Sequence, residues 1–255
     1  MKSNVFLIRY LSGRIMLATL FMLAVLGSGC SVQSPANAQK KSVAIRTLIV
    51  GGGSSHNFDK WYKEVDVATL AKDGFADVKY TSNVSEILPQ LAELDVLILA
   101  NNQPMEDPAL RKAIFAFAAA GKGLVLAHAG LWYNWKDWPE YNLQLAAGGS
   151  NGHDKYGPFK VTVVDAKHPV TSGVPEKFSL NDELYYYRAD PKGPGIKVLA
   201  SASVQDSDVV YPSVFVINNS KARIIGLALG HDSSSHDLPA YHTLLRNAVK
   251  WVSRK

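Results

Sequence analysis

The chain has 255 residues, of which 47% are hydrophobic and 19% are charged, and this composition excludes a disordered protein. The formal net charge of +5 would suggest a nucleic-acid partner. However, residues 1–29 contain three basic residues and no acidic one, which leaves 24 basic against 22 acidic residues in the remainder. Because nucleic-acid-binding proteins carry a basic surface, we expect no nucleic-acid partner for this nearly neutral body. The length corresponds to one large α/β domain.

The N-terminus has the pattern of a secretory signal peptide. Three basic residues precede an apolar run over residues 15–26, and small residues follow it. This run of twelve residues is too short to cross a hydrocarbon core of about 30 Å as a helix. The run therefore indicates a signal sequence rather than a membrane span, and we predict a signal peptide over residues 1–29 and export from the cytoplasm.

Two cleavage sites are compatible with this signal peptide. The segment ending at Cys30 resembles a bacterial lipobox, although Leu26 lies four residues before the cysteine rather than three. Cleavage there would make Cys30 the lipidated first residue of a periplasmic or outer-membrane-anchored lipoprotein. We favour this alternative because the lone cysteine has no other evident use. The other alternative is signal-peptidase cleavage after Ala38.

In either case residues 30–41 form a polar tether, and residues 42–255 form a single domain. The first half of this domain alternates between strands and helices. Apolar runs predict strands over residues 44–50, 78–81, 94–100 and 123–128. Helices are predicted between them over residues 58–72 and 108–120, the second with an N-cap at Asp107. The candidate buried positions of the first helix are Trp61, Val65, Val67, Ala68 and Leu70.

Strands separated by helices of this length predict a mostly parallel sheet with helices on both faces. The second half of the domain is different, because its predicted strands are closely spaced and indicate extra antiparallel or edge strands. They cover residues 159–164, 183–188, 196–200, 209–218 and 223–229. A final helix is predicted over residues 239–252.

Several histidines follow predicted strands or glycines, and ligands of an open parallel sheet bind beyond the carboxyl ends of its strands. His56 follows a glycine-rich loop, and His128 lies in a turn that resembles a nucleophile elbow. Imidazoles with nearby carboxylates suit a divalent metal such as zinc, so His128, His153 and His231 are candidate metal ligands. No HExxH motif is present, and a strand-end histidine can also be satisfied by ordinary hydrogen bonds. His168 precedes a proline and is expected to be structural.

Aromatic residues follow the His128 turn directly. Trp132 and Trp135 are candidate substrate-binding residues, together with His56 and His153, because aromatic rings beside polar groups form platforms for the C–H faces of sugars. The alternative is a capping segment whose tryptophans pack on the sheet.

Taken together, these motifs resemble the ThuA-like (trehalose utilisation) family, whose fold is similar to that of the class I glutamine amidotransferases. The resemblance covers residues 47–251. One departure is Asn57, which follows His56 where the family pattern leads us to expect an aspartate. The matching features are the glycine-rich loop with His56, LAHAG ending at Gly130, Gly148-Gly149 before His153, His168-Pro169, the DELY box at residues 182–185 and Gly230-His231.

The resemblance implies an amidotransferase-like α/β sheet in which His128 takes the place of the nucleophile. Cys30 is the only cysteine, so the folded domain contains no thiol, and glutamine hydrolysis through a thioester is excluded. The usual associations of the family imply the catabolism of a disaccharide, a glycoside or a keto-sugar.

Three functions remain open at this point. The first is a carbohydrate-active lyase, isomerase or hydrolase, with His128 and His231 as acid/base groups or metal ligands, Glu183 as a second base or ligand, and Tyr185 as a hydroxyl donor. The second is a non-catalytic sugar-binding lipoprotein that uses the same cleft, and the third is a structural domain with a vestigial pocket. The expected partner of the first two is a small carbohydrate, with a lipid anchor as the only membrane contact. A homo-oligomer is compatible with all three.

Overall fold

The structure is a computed structural model that describes residues 44–204 and 207–255. The predicted signal peptide, the lipidation site at Cys30 and the tether to residue 41 lie outside the described residues, and they stay predictions. Within the described ranges, every helix is too short or too polar to cross a membrane.

A nine-stranded sheet forms the centre of the described domain. Its order is β2-β1-β3-β4-β11-β10-β9-β6-β7, and β5 and β8 form a separate pair. The strands are β1 (Ile45–Val50), β2 (Ala76–Thr81), β3 (Val96–Leu99), β4 (Gly123–Ala127), β5 (Gly148–Gly149), β6 (Gly157–Val163), β7 (Lys177–Asp182), β8 (Arg188–Ala189), β9 (Ile196–Val204), β10 (Tyr211–Ile217) and β11 (Ile224–Leu227).

The pairing of the sheet changes along its width. Strands β2, β1, β3, β4 and β11 pair in parallel. Strands β10, β9, β6 and β7 then continue the sheet in antiparallel fashion. The predicted mixture of a parallel half and added antiparallel strands is therefore confirmed.

Helices and turns connect the strands on both faces of the sheet. The α-helices are α1 (Val67–Ala71), which continues a π-helix over Asp59–Asp66, followed by α2 (Pro108–Ala119), α3 (Ser233–His236) and α4 (Pro239–Ser253). A second π-helical turn covers Tyr141–Leu145, and 3₁₀ turns cover Lys72–Gly74, Val84–Glu86, Leu88–Glu93, His128–Leu131 and Pro169–Thr171. As predicted, Asp107 caps α2, because its carboxylate accepts a hydrogen bond from the Ala109 amide at 2.8 Å.

The apolar side chains form two cores, one on each face of the sheet. Within β4, Val125 and Ala127 belong to the core that includes α4, whereas Leu124 and Leu126 belong to the core that includes α2. Successive residues of a strand point to opposite faces, so a continuous apolar run is buried on both sides.

Two predicted elements differ from the structure. Residues 183–187 are not a strand, and of the predicted segment only Arg188 lies in one, at the start of β8. Strand β7 ends at Asp182, where the Asp182 carboxylate accepts a hydrogen bond from the Glu183 amide at 2.7 Å, so that this amide does not pair with a neighbouring strand. The buried positions of the first helix are only partly those predicted. Leu70 is buried as predicted, but Ala68 is exposed, and Tyr62 and Asp66, which were not predicted, are buried. The wider turn of the π-helix moves the inward face, which a period of 3.6 residues does not predict.

Candidate metal centre and cleft

Three parallel strands each lead into a loop that carries one histidine. His56 follows β1, His128 follows β4 and His231 follows β11. Because these strands are parallel and close together in the sheet, their carboxyl ends meet at one edge. The predicted convergence of His128 and His231 is present, with the centroids of their rings 5.9 Å apart. His56 lies between them, with ring centroids 4.8 Å from His128 and 4.9 Å from His231.

The turn after β4 holds His128 in an unusual backbone conformation. Its φ is +38°, which places it outside the regions that side chains normally adopt. The turn also needs glycine at position 130, because a Cβ there would lie 2.2 Å from the carbonyl oxygen of Leu99. The turn thus packs its backbone directly against the end of β3, as in the nucleophile elbow that the sequence resembles.

The carboxylate of Glu183 lies at the centre of these imidazoles. Its Oε2 is 3.3 Å from His231 Nδ1, 3.6 Å from His128 Nε2 and 3.9 Å from His56 Nε2. The candidate ligand atoms of all four residues lie within 4.8 Å of one another. His153 approaches from the other side, with Nε2 3.7 Å from Glu183 Oε1, and is not one of the four.

The imidazole nitrogens that face this carboxylate are buried and lack a hydrogen-bond partner among the described residues. They are Nε2 of His56, Nε2 of His128 and Nδ1 of His231. The opposite nitrogens of two rings are bonded to backbone carbonyls, since His56 Nδ1 lies 3.2 Å from Ser54 O and His128 Nδ1 lies 2.7 Å from Ala228 O. A carbonyl only accepts, so Nδ1 carries a proton in both rings, and Nε2 is the nitrogen that can offer a lone pair to a ligand. This tautomer is the one that metal-binding histidines adopt.

The charges of the cluster agree with this assignment. Burial would raise the pKa of Glu183, but the His128 and His231 imidazoles outweigh burial and hold that pKa well below its usual range. Burial, together with the neighbouring His128, lowers the pKa of His56 to about 4. The Glu183 carboxylate, 3.3 Å from its Nδ1, raises the pKa of His231 against the effect of burial. At neutral pH the cluster therefore contains an ionised carboxylate and a neutral His56, the forms that ligate metals.

A cavity of about 370 Å³ opens next to these residues. This volume lies within the range of small-molecule sites. Trp132 forms part of its wall and contacts His153 and Tyr185, with ring centroids 5.6 and 5.2 Å apart. The Tyr185 ring stacks on His128 with a centroid separation of 4.4 Å. The lining residues are Ser54, Ser55, His56, Asn102, Ala129, Trp132, Asn134, His153, Glu183 and Tyr185.

The family model described as trehalose utilisation, ThuA, matches residues 45–252. The chain belongs to the ThuA family. The match includes all the strands and helices of the described domain except the last residue of α4. No protein with a curated function shows significant similarity to the sequence.

Solved structures of ThuA-like proteins share this fold. A ThuA-like protein from Parabacteroides merdae superposes with a TM-score of 0.72 at 22% identity, covering 82% of this chain and 90% of that protein. One from Bacteroides uniformis has a TM-score of 0.67 at 24% identity, covering 86% of this chain and 95% of that one. Agd3, described as a carbohydrate deacetylase, has a TM-score of 0.56 at 13% identity, covering 83% of this chain but 32% of Agd3. At these identities the likeness shows the fold alone.

The ThuA domain brings most of the sequence-predicted site residues together. His56, a predicted substrate-binding residue, belongs to the four-residue cluster, whereas His153, a predicted metal ligand, lies beside it on the cavity wall. Trp135 does not line the cavity. It is buried against Trp138 in the core of one face, and its indole nitrogen donates a hydrogen bond to the Gln103 carbonyl at 2.9 Å. Trp135 packs inward because its ring contacts Trp138 and Tyr141 in this apolar core.

His168 lies away from the cluster and is structural, as expected from the proline that follows it. Its Nδ1 accepts a hydrogen bond from the Val170 amide at 3.2 Å, and its ring packs near Trp251 with a centroid separation of 5.0 Å.

Two residues that position the site of this ThuA domain were given no role from the sequence, although Asp182 lies in the DELY box. Asn102 bonds to Ser54 through both ends of its amide, at 2.8 and 3.0 Å, and so fixes the loop before His56. The carboxylate of Asp182 accepts hydrogen bonds from the amides of Glu183 and Gly230, at 2.7 and 2.9 Å, which ties Glu183 to the loop of His231. Asn102 lies just after the carboxyl end of β3, and this position, like that of the histidines, is the sequence signal that indicates a site residue.

Proposed function

We propose that this chain is a carbohydrate-acting enzyme whose cleft binds one divalent metal ion of the zinc class through His56, His128, His231 and Glu183. The supporting observation is that three buried imidazole nitrogens without hydrogen-bond partners among the described residues surround one carboxylate oxygen. Leaving buried polar atoms unpaired costs about 1–3 kcal/mol each, so a group that pairs with all of them is expected.

The residues present fit such an ion in type and in spacing. Imidazole nitrogen and carboxylate oxygen are the ligands that zinc takes when no thiolate is available. Two ligands that both lie about 2.1 Å from one ion are at most roughly 4.2 Å apart. The separations of 3.3, 3.6 and 3.9 Å between Glu183 Oε2 and the three nitrogens satisfy this limit. The ligand atoms of all four residues lie within 4.8 Å of one another, so the imidazoles need only small movements to meet at one ion.

A bound ion of this class would act as a Lewis acid on an oxygen of the sugar. His153 is then the base of the cleft. Its Nδ1 donates to the Asp154 carbonyl at 2.7 Å, so Nε2 is left as a proton acceptor beside Glu183. Burial, with the charge of Glu183, raises the pKa of Tyr185 well above its usual value, so its hydroxyl stays protonated and can donate a proton or a hydrogen bond.

These groups support chemistry that begins with removal of a proton from the sugar or from a water molecule. The reaction classes are a lyase, an isomerase or a hydrolase acting on a disaccharide, a glycoside or a keto-sugar. The family name, which describes trehalose utilisation, supports a carbohydrate substrate. Trp132 offers an indole face at the cavity wall for the apolar face of a sugar ring.

The metal is tested by elemental analysis of the purified chain after zinc loading and dialysis. We expect about one zinc per chain, and its loss in the double variant His128→Ala, His231→Ala, since both replaced side chains are ligands. His168→Asn is the matched control, because it removes a histidine outside the cleft while the Asn oxygen still accepts from the Val170 amide. Loaded wild-type chain that contains no metal, or a double variant that keeps it, would contradict the proposal.

Turnover is tested by screening disaccharides, glycosides and keto-sugars and comparing two variants on the best substrate. We expect His153→Gln to lower kcat by about 10²–10⁴-fold, because it removes the base. Trp132→Leu should mainly raise KM, because it removes a binding platform. Tyr133→Leu is the control, since Tyr133 is an exposed aromatic residue outside the cavity lining. Sugar binding without turnover, sensitive only to Trp132, would instead support a non-catalytic sugar-binding lipoprotein.

A further inference from the structure

A second polar cluster lies in the core on the other side of the His231 loop from Glu183. It consists of Tyr62, Asp66, His236 and Tyr241, each exposed by 1% or less. Asp66 Oδ1 lies 2.8 Å from His236 Nδ1, and Asp66 Oδ2 accepts the Tyr241 hydroxyl at 3.0 Å. None of these four residues belongs to the cluster of His56, His128, Glu183 and His231, which we call the metal-type cluster, and none lines the cavity beside it.

The hydrogen bonds of His236 fix its charge. One nitrogen faces the Asp66 carboxylate, and the other, Nε2, lies 3.0 Å from the carbonyl oxygen of Gly230. Both partners accept only, so both ring nitrogens must donate, and His236 is an imidazolium. Burial opposes this charge, but Asp66 outweighs burial and raises the pKa of His236.

The same carbonyl is held by a second donor. The Tyr62 hydroxyl donates to Gly230 O at 3.0 Å, and on the other side the Gly230 amide donates to Asp182 at 2.9 Å. Gly230 has φ +136°, and a Cβ there would lie 2.7 Å from the Tyr62 hydroxyl oxygen. The residue that precedes His231 is therefore fixed at both its N–H and its C=O.

We propose that His236 and Tyr62 are positioning residues that hold the Gly230 carbonyl and thereby aim His231 at Glu183 and the metal. The His236 imidazolium provides a charged donor, which makes a stronger bond to the carbonyl than a neutral donor would. This inference rests on the proposed metal centre for its function, but the protonation of His236 and the orientation of His231 can be measured without metal.

Stability alone is a weak explanation of this arrangement. A buried ion pair contributes little net stability, because the desolvation of both ions offsets their attraction, and apolar residues of the same volume are often as stable. The Asp66–His236 pair instead supplies a fixed hydrogen-bond donor, His236 Nε2, to the loop that carries His231. Partners that orient the ligands of a metal site change its affinity by about 10–100-fold when they are replaced.

The first test compares two variants that each remove one buried hydroxyl. Tyr62 and Tyr187 are both exposed by 1%, and each donates to one backbone carbonyl, that of Gly230 at 3.0 Å or that of Ala146 at 2.7 Å. We expect Tyr62→Phe to weaken zinc binding, measured by competition with a chromophoric chelator, and Tyr187→Phe to leave it unchanged. Equal zinc affinities of the two variants would overturn the role of Tyr62.

The second test uses His236→Gln, whose amide can donate to only one of the two acceptors. Zinc affinity should fall by about tenfold or more, and the visible spectrum of the Co²⁺-substituted variant should change, because His231 is no longer held in place. In the wild-type chain without metal, long-range ¹⁵N–¹H NMR should show both His236 nitrogens protonated at neutral pH. A neutral His236 ring, or unchanged zinc affinity in a folded His236→Gln variant, would overturn the proposal.

The two proposals fail in different ways. If the wild-type chain binds no zinc, the proposed metal centre is wrong, and the positioning role is then decided by the ring-nitrogen signals of His231. Shifted His231 signals in His236→Gln would support the role, and signals identical to those of wild type would overturn it.

Discussion

One histidine of the site, His128, has a strained backbone conformation. His128 has φ +38°, and a side chain in such a region costs about 1–3 kcal/mol. The bond from its Nδ1 to Ala228 O at 2.7 Å and the stacking on Tyr185 hold it there. Strain of this kind persists where the surrounding structure fixes it, and it is common at functional sites.

Replacing Gly130 in this turn should destabilise the chain. Gly130→Ala places a Cβ 2.2 Å from the Leu99 carbonyl, and because that neighbour is backbone, the turn must move. We expect the free energy of unfolding in urea to fall by about 1–3 kcal/mol, the usual cost of overpacking. Gly157→Ala is the control, since its Cβ would meet only ordinary contacts, the nearest at 3.6 Å. A similar loss in both variants would show that the close approach at Gly130 does not matter.

At the scale of elements, most regular helices and strands follow from sequence patterns, whereas β7 and the π-helix were not predicted. The caps and apolar runs of α2, β3 and β4 are visible in the sequence, because each signal is local. The π-helix over Asp59–Asp66 turns Tyr62 and Asp66 inward, where Asp66 meets His236 from a distant part of the chain. No local pattern predicts that pairing, since an aspartate in an amphipathic helix normally faces solvent.

The end of β7 was also not predicted from local sequence. Residues 183–188 are predicted to be a strand, but the Asp182 side chain accepts a hydrogen bond from the Glu183 amide, and β7 stops at Asp182. This stop leaves Glu183 free of the ladder, so that its side chain reaches the three histidines.

At the scale of the whole molecule, the site depends on the order of the strands in the sheet. Strand β11 lies next to β4 on one side, and on the other side β3 alone separates β4 from β1. The groups of the site come from both halves of the described domain, so the metal-type cluster links the parallel half of the sheet to the loop after β7. A ligand that binds only the folded chain stabilises the whole fold.

Zinc should therefore raise the unfolding temperature of the chain. At a free zinc concentration about 100 times the Kd, the expected stabilisation is about 2.7 kcal/mol. Thermal unfolding in chelator and in zinc, followed by circular dichroism, measures the effect. The double variant His128→Ala, His231→Ala should show no shift, whereas His168→Asn should shift as wild type does. An equal shift in the double variant would mean that zinc binds elsewhere.

The amino-acid sequence was sufficient for the family, the mixed sheet and the set of candidate histidines, because apolar periodicity, helix caps and glycine-flanked motifs are local signals. Only the tertiary structure decided which groups meet. It makes Glu183 the common neighbour of three imidazoles, places Trp135 in the core rather than in the cleft, and pairs Asp66 with His236 next to Gly230. These facts depend on the order of strands and on one irregular helix. Both are set by contacts between distant segments, which leave no periodic trace along the chain.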